Sequence, residues 1–153
     1  MKLFNILLTI VVLTLFTGCT TSKSTIASNA DIAKYQYVSV INNDTYRIPA
    51  PLMEYQIQLF DAVEASGLQL VNDMNIYNLT PSQQSKLLLA KYAVNTKDEE
   101  TVVTVSFIDF NSGRPITSCR GTYSTLGFSQ STDIRKAIEN VGKQISQTFG
   151  KVR

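Results

Sequence analysis

The sequence predicts an α+β fold: a two-layer sandwich in which a mixed, mostly antiparallel sheet of four to five strands packs two helices on one face. Runs rich in β-branched and aromatic residues recur along the chain and are strongest at 101–110. Two other stretches, 51–65 and 131–149, repeat apolar residues at helical spacing. Short polar turns join the later strands, and two helices that each bury one face fit one side of such a sheet.

The first strand is predicted at 34–41, where KYQYVSVI alternates, and the loop at 42–51 contains turn-forming residues and two prolines. Pro51 suits the first turn of a helix that is predicted to run to about Ala65, with Gly67 at its end. Its apolar residues recur at helical spacing: Leu52, Met53, Leu59, Phe60 and Val63. A short strand is predicted at 68–71.

Residues 81–94 leave two interpretations open. Thr80, Pro81 and Gln83 form a helix start of the capping-box type. The alternation that begins at Leu88 is typical of a strand instead. We predict a short helical turn at 81–85 followed by a strand, with a longer helix as the alternative.

The last part of the chain predicts a hairpin and a helix. The strand at 101–110 is followed by the polar stretch NSGR, in which Gly113 can adopt a positive φ, and by a returning strand from Pro115. The final helix is predicted to start near Ser131 or Thr132. Its apolar stripe has spacings of three and four residues: Ile134, Ile138, Val141, Ile145 and Phe149.

Composition argues against several classes of function. The net charge is only +2 and the basic residues are scattered, so nucleic-acid binding is not expected. The chain contains no histidine, which is the commonest general base and metal ligand. No phosphate-binding glycine loop or cluster of metal ligands is visible either. We therefore expect no enzymatic activity, no cofactor and no metal.

The amino terminus has the pattern of a secretion signal. Lys2 precedes an apolar run from Ile6 to Phe16, which is too short for a spanning helix of about 20 residues. The run ends at the small residue Gly18, followed by Cys19. An ordinary secretion signal that contains a cysteine, or an uncleaved anchor, are the alternatives.

The stretch Leu15-Phe16-Thr17-Gly18-Cys19 resembles a bacterial lipobox, with Phe16 where leucine is usual. The resemblance implies cleavage between Gly18 and Cys19. It also implies a diacylglycerol on the Cys19 thiol and an acyl chain such as palmitate on the new amino group. Two or three such chains anchor a protein stably. The expected location is the cell envelope, with the outer membrane favoured because Thr20 follows the cysteine.

Three segments are predicted from these patterns. Residues 1–18 are the cleaved signal peptide, and 34–153 are a single α+β domain. Between them, 19–33 is predicted to be a flexible tether, because TTSKSTIASN is rich in small polar residues and has no periodicity.

The region from 85 to 150 resembles a group of small bacterial envelope lipoproteins known only by a domain of unknown function. The resemblance rests on SKLLLAKYAV, on TVSFIDFNSGRPITSCRGTYS and on a last helix that begins DIRKAI. The same shape is similar to the amino-terminal domain of the TolB translocation protein and to lipoprotein cofactors of cell-wall synthases. These resemblances imply a fold and an envelope location, and they imply no activity.

Three groups of residues remain as candidates. Cys119 is either a nucleophile activated by Arg114 and Arg120 or, as we predict, a small buried residue under a helix. Asp109 is predicted to accept backbone hydrogen bonds within the following turn. The strand tyrosines either line a binding surface or occupy half-buried positions, and we favour the second interpretation.

The expected function is that of a membrane-anchored envelope lipoprotein whose domain binds or assembles with another envelope protein without catalysis. The alternative is an accessory carrier of a small ligand or lipid in envelope transport. The loop at 42–51 is long enough to be a recognition loop.

Overall fold

The computed structural model describes residues 19–41, 50–97, 100–124 and 129–150, so the predicted signal peptide and most of the loop at 42–51 lie outside the described residues. Two 3-10 helices accompany the main elements, at Ile32–Lys34 and Asp73–Asn78. The strands and helices, in chain order, are β1 (Cys19–Ile26), β2 (Tyr37–Val40), α1 (Ala50–Glu64), β3 (Gln69–Leu70), α2 (Pro81–Gln84), β4 (Leu87–Lys97), β5 (Glu100–Asp109), β6 (Pro115–Ser124) and α3 (Gln130–Phe149).

The strands form one mixed sheet in the order β1-β6-β5-β4-β2-β3. The pairs β1–β6, β6–β5 and β5–β4 are antiparallel, whereas β2 is parallel to both β4 and β3. Because α1 connects the parallel strands β2 and β3, this half of the sheet is a βαβ unit. The predicted α+β class and mixed sheet are confirmed, but the sheet has six strands rather than four or five.

The two interpretations of residues 81–94 resolve as a short helix followed by a strand. Thr80 caps α2, since its hydroxyl accepts a hydrogen bond from the Gln83 amide while the Gln83 side chain accepts one from the Thr80 amide. After one turn the chain enters β4, which pairs with β5 from Leu88 to Lys97.

The main core lies between the sheet and the two longer helices. Buried and half-buried positions alternate along β5, and Val103, Val105 and Phe107 point toward α3. The rings of Phe107 and Phe149 meet edge to face, with centroids 4.9 Å apart. The predicted stripe of α3 is buried in the same cluster as Leu59 and Val63 of α1, so both helices cover the same face.

Gly121 explains how closely α3 approaches the sheet. A Cβ atom at this position in β6 would collide with the backbone of α3 at Ala137 and Val141. Only glycine therefore allows the helix to lie this near to the strand. In the described parts of the chain, no helix combines the length and the apolar character needed to cross a membrane.

Candidate functional site

The residues that follow the lipobox-like stretch form an edge strand. All eight residues of β1 pair with β6, from Cys19 opposite Ser124 to Ile26 opposite Thr117. The prediction of a flexible tether is therefore wrong for 19–26. Its small polar residues resemble a linker, but Thr has a high β propensity and every second backbone group here pairs with a neighbouring strand.

Side chains add to the backbone pairing of β1. The hydroxyl of Thr117 donates to the carbonyl of Thr25 at 2.9 Å, and that of Thr122 donates to the carbonyl of Thr21 at 3.1 Å. From the helix layer, Nε2 of Gln144 in α3 donates to Oγ of Ser22 at 2.9 Å. Strand β1 is thus held from its partner strand and from the helix above it.

The connection from β1 to β2 is also bonded along its length. The amide of Ala27 donates to the carbonyl of Ile116 at 2.9 Å. Asp31 then caps the 3-10 helix Ile32–Lys34 by accepting from the amide of Ala33 at 3.1 Å. The second half of the predicted tether therefore contains local structure, and within the described residues the fold includes Cys19 rather than starting at Lys34.

The carboxylate of Asp109 accepts four hydrogen bonds from other parts of the described chain. Its Oδ1 accepts from the amide and the hydroxyl of Ser112, both at 2.8 Å, which confirms the predicted turn role. Its Oδ2 accepts from the hydroxyl of Tyr35 at 2.8 Å and from Nζ of Lys34 at 3.1 Å. Lys34 and Tyr35 are sequence-distant partners that local turn signals could not predict.

These hydrogen bonds keep the Asp109 carboxyl group ionised. Burial acts to raise the pKa of Asp109, but the hydrogen bonds from Ser112, Tyr35 and Lys34 outweigh it and hold that pKa well below its usual range. The pKa of Tyr35 is raised by burial and by its bond to the carboxylate. Asp109 is therefore a satisfied anion that joins the start of β2 to the β5–β6 turn, and its bonded oxygens leave it poorly suited to act as a base.

Cys119 is fully buried beneath α3, as predicted. Its Sγ lies 3.7 Å from Oγ1 of Thr148, and that hydroxyl donates to the carbonyl of Gln144. Burial raises the pKa of the Cys119 thiol, which disfavours the reactive thiolate. Arg120 points to the other side of the sheet and is exposed, so it does not activate the thiol.

The tyrosines do not form one surface. By strand register, Tyr92 and Tyr123 belong to the helix-covered face and Tyr37 belongs to the opposite face. Tyr35 is buried against Asp109. The structure therefore supports the interpretation of half-buried strand positions over that of a shared binding surface.

An open groove of about 700 Å³ runs along the outer side of α1 and α3. Its floor includes Ala62 and Gly142, where the helices approach so closely that a Cβ atom on Gly142 would lie 2.9 Å from the Cβ of Ala62. Charges of both signs surround it, including Arg135 and Glu139. Nearby on α1, Met53 and Ile57 are 54% and 60% exposed. The sequence did not single out this groove.

These elements define an α+β domain with a mixed sheet, an amino-terminal edge strand and one helix-covered face. No protein-family model matches the chain, and no curated protein matches it significantly. Among solved structures, the chain is similar to the PelC dodecamer from Paraburkholderia phytofirmans. The identity is 17%, the TM-score is 0.50, and the match covers 86% of this chain and 98% of that one.

A point variant of that PelC dodecamer matches with 19% identity and a TM-score of 0.53, over 86% of this chain and 98% of that one. A DUF4136 family protein from Bacteroides thetaiotaomicron matches with 10% identity and a TM-score of 0.50, over 84% and 95%. Identities this low show a shared fold. The fold is thus shared with a family of unknown function, in line with the sequence resemblance, whereas the similarity to TolB stays a prediction.

Proposed function

We propose that this protein is a lipid-anchored envelope protein whose domain acts as a non-enzymatic binding or assembly module. The observation that carries the proposal is the position of Cys19. It is the last residue of the lipobox-like stretch and the first residue of β1. Cleavage between Gly18 and Cys19 would therefore release a chain whose first residue already belongs to the folded domain.

The proposed anchor is a diacylglycerol on the Cys19 thiol together with an acyl chain on its amino group. One acyl chain gives marginal membrane binding, whereas two or three give stable attachment. The outer membrane is the favoured location. Because β1 begins at Cys19, no long flexible linker separates the proposed lipid from the fold. This arrangement fits a module that works close to the membrane surface.

The non-enzymatic part of the proposal is supported by the state of the two most reactive candidates. The thiol of Cys119 is buried and has a raised pKa. The carboxylate of Asp109 accepts four hydrogen bonds within the fold. Each group is explained by packing or by the turn that it stabilises.

The binding part of the proposal is supported by the outer side of α1. Met53 and Ile57 lie one helical turn apart and are both more than half exposed. Ile57 lies one helical turn before Asp61, which lines the groove along α1 and α3. Neighbouring exposed apolar side chains are typical of protein contact sites. PelC, which shares the fold, forms a dodecamer, so further copies of this chain are one class of partner to test.

The carrier alternative requires an enclosed apolar cavity between sheet and helices. At the described positions that layer contains fully buried side chains, among them Leu59, Val105 and Ile145. The groove of about 700 Å³ is open and lies outside this layer. The arrangement favours the assembly module.

The anchor is tested by metabolic labelling with a fatty-acid analogue and by membrane fractionation. We expect the wild type to incorporate label and to sediment with membranes. Cys19→Ala should lose both properties, whereas Cys119→Ala, as the matched control, should keep both. An unlabelled wild-type protein would remove the basis of the proposal.

The assembly role is tested by crosslinking in intact envelopes. Met53→Lys and Ile57→Lys should weaken a specific crosslinked complex, whereas Met74→Lys should leave it intact, because Met74 is exposed on a different segment. Repeated recovery of the wild type without any specific partner, including a second copy, would contradict the assembly role.

A further inference from the structure

Neither α1 nor α3 covers the opposite face of the sheet along β1, β6, β5 and the second half of β4, where most described side chains are exposed or half-buried and Thr122 is buried; we term it the open face. The 3-10 helix Asp73–Asn78 contacts β2 instead. Alternation along the strands and the pairing register assign residues to the open face. Many of these positions carry small hydroxyl side chains, such as Thr104, Ser106 and Ser118.

Cations are concentrated on the open face. Lys23 in β1 lies directly opposite Arg120 in β6, and both side chains are exposed. Lys91 in β4 is exposed on the same face, two strands away from β6. At a strand spacing of about 4.8 Å, Lys23 and Arg120 lie within a Debye length of each other at physiological salt, whereas Lys91 lies at least about 10 Å from Arg120 and at least about 14 Å from Lys23 on the same face.

This cluster is not neutralised inside the domain. None of Lys23, Arg120 and Lys91 forms an ion pair with a residue in the described ranges. Among those residues, Glu100 is the only carboxylate at an open-face position, and it pairs in register with Lys97 at one end of the sheet. Like charges placed directly opposite each other on neighbouring strands destabilise a sheet. The Lys23–Arg120 juxtaposition therefore has a folding cost that binding of an anionic surface would offset.

The helices α1 and α3 carry more acidic than basic side chains, unlike the open face. On α1 the described charged side chains are all acidic: Glu54, Asp61 and Glu64. On α3, Arg135 and Lys143 are exposed and Lys136 is paired with Glu139 at 2.9 Å, so α1 and α3 together carry three basic and five acidic side chains. Basic charge is therefore in excess on the open face and not on the two helices.

We propose that the open face docks on a membrane surface rich in anionic phospholipid headgroups, the same membrane into which Cys19 inserts its lipid. This inference rests on the proposed function. Strand β1 connects the two parts, because its first residue is the attachment point and Lys23 lies four residues further along the same hydrogen-bonded strand. Because residues alternate between the two faces of a strand, position 19 belongs to the same face of β1 as position 23. The short distance keeps the cations beside the headgroups, where each basic residue adds to the attraction.

The test uses the full chain, expressed and processed in bacteria, purified in detergent and reconstituted into vesicles. In a Cys119→Ala background, a fluorophore is attached either at Thr104→Cys on the open face or at Ser146→Cys on the helix side. The vesicles consist of phosphatidylcholine alone or with about a third phosphatidylglycerol, and they carry a headgroup-linked quencher.

We expect strong quenching of the Thr104→Cys label and weak quenching of the Ser146→Cys label on anionic vesicles. The difference should disappear on neutral vesicles and at high salt. Replacing Lys23, Arg120 and Lys91 with glutamine should lower the docked-to-undocked ratio by about a hundredfold. The matched control, which replaces Arg135, Lys136 and Lys143 of α3 with glutamine, should leave the quenching pattern unchanged.

Equal quenching of the two labels on vesicles that retain the protein would overturn the docking proposal and leave the lipid anchor intact. Quenching that responds to the α3 variant alone would also overturn it. A response of the Thr104→Cys label to soluble polygalacturonate and not to anionic vesicles would replace the membrane with a soluble polyanion. Protein that fails to float with either kind of vesicle would refute the lipid anchor itself. Failure of the docking proposal and failure of the anchor proposal therefore give different results.

Discussion

The hydroxyl of Tyr35 donates a hydrogen bond of 2.8 Å to Oδ2 of Asp109, a residue 74 positions later in the chain. Lys34 reaches the same oxygen at 3.1 Å, and its ammonium lies 4.6 Å from the centre of the Tyr35 ring. Two adjacent residues before β2 thus bind the carboxylate that closes the β5–β6 turn. This contact ties the parallel half of the sheet to its antiparallel half.

Asp109→Asn is expected to destabilise the protein in a pH-dependent way. The folded-state pKa of Asp109 lies below its ordinary value, so the carboxylate contributes stability that is present above about pH 4 and is lost as the pH falls through the folded value. We expect a loss of about 2 kcal/mol at pH 7 that shrinks below about pH 4. Urea denaturation of the wild type and of Asp109→Asn at a series of pH values measures this difference in the free energy of unfolding.

Tyr35→Phe serves as the control for that prediction. It removes one donor and keeps the carboxylate, so a smaller loss of about 1 kcal/mol is expected. The two substitutions should couple in a double-mutant cycle, because they share one hydrogen bond. A loss for Asp109→Asn that stayed constant from pH 7 to pH 3 would contradict the role given to the charge.

Strand β1 is expected to behave as folded structure. The amides of 21–26 that point toward β6 should exchange their hydrogens slowly in the native protein. Gln144→Ala should accelerate this exchange because it removes the bond to Ser22, whereas Lys143→Ala on the exposed side of α3 should not. Exchange at the rate of an unstructured peptide in the wild type would restore the interpretation as a tether.

Gly121→Ala is expected to be strongly destabilising. The added methyl group would collide with the backbone of α3 near Ala137 and Val141, and a helix backbone cannot yield as a side chain does. We expect a loss of about 3 kcal/mol in the free energy of unfolding. Ser118→Ala, on the open face of the same strand, should change it by less than about 0.5 kcal/mol. Similar unfolding midpoints for the two variants would argue against close packing of α3 on β6.

Cys119 is expected to be inert in the native protein. In a Cys19→Ala background it is the only thiol, because the chain contains two cysteines. Labelling by iodoacetamide should be slow near neutral pH and fast in denaturant, since burial shields the thiol and raises its pKa. Rapid labelling of the folded protein would reopen the possibility of a nucleophile.

The elements with strong local signals were predictable from the sequence. The β-branched run of β5, the capping box at Thr80 and the apolar stripe of α3 all appear in the structure where the patterns indicated. The turn role of Asp109 toward Ser112 was also predictable, because it depends on neighbours in the chain.

Features that depend on distant partners were not predictable. The segment that forms β1 has almost no apolar residues, and its structure depends on backbone bonds to β6 about a hundred residues later. For the same reason the sequence did not reveal Tyr35 and Lys34 at Asp109, or the cation cluster of Lys23 and Arg120. The register of strand pairing brings these residues together, and no local pattern encodes that register.

In the proposed anchor, Cys19 is the lipid-bearing first residue of the mature chain. Mass spectrometry of the amino-terminal peptide, from protein extracted from membranes with detergent, tests it most directly. We expect a peptide that begins at Cys19 and carries the added mass of a diacylglyceryl group and an acyl chain. A mature chain that retains Met1, or that carries Cys19 with a free thiol, would contradict it.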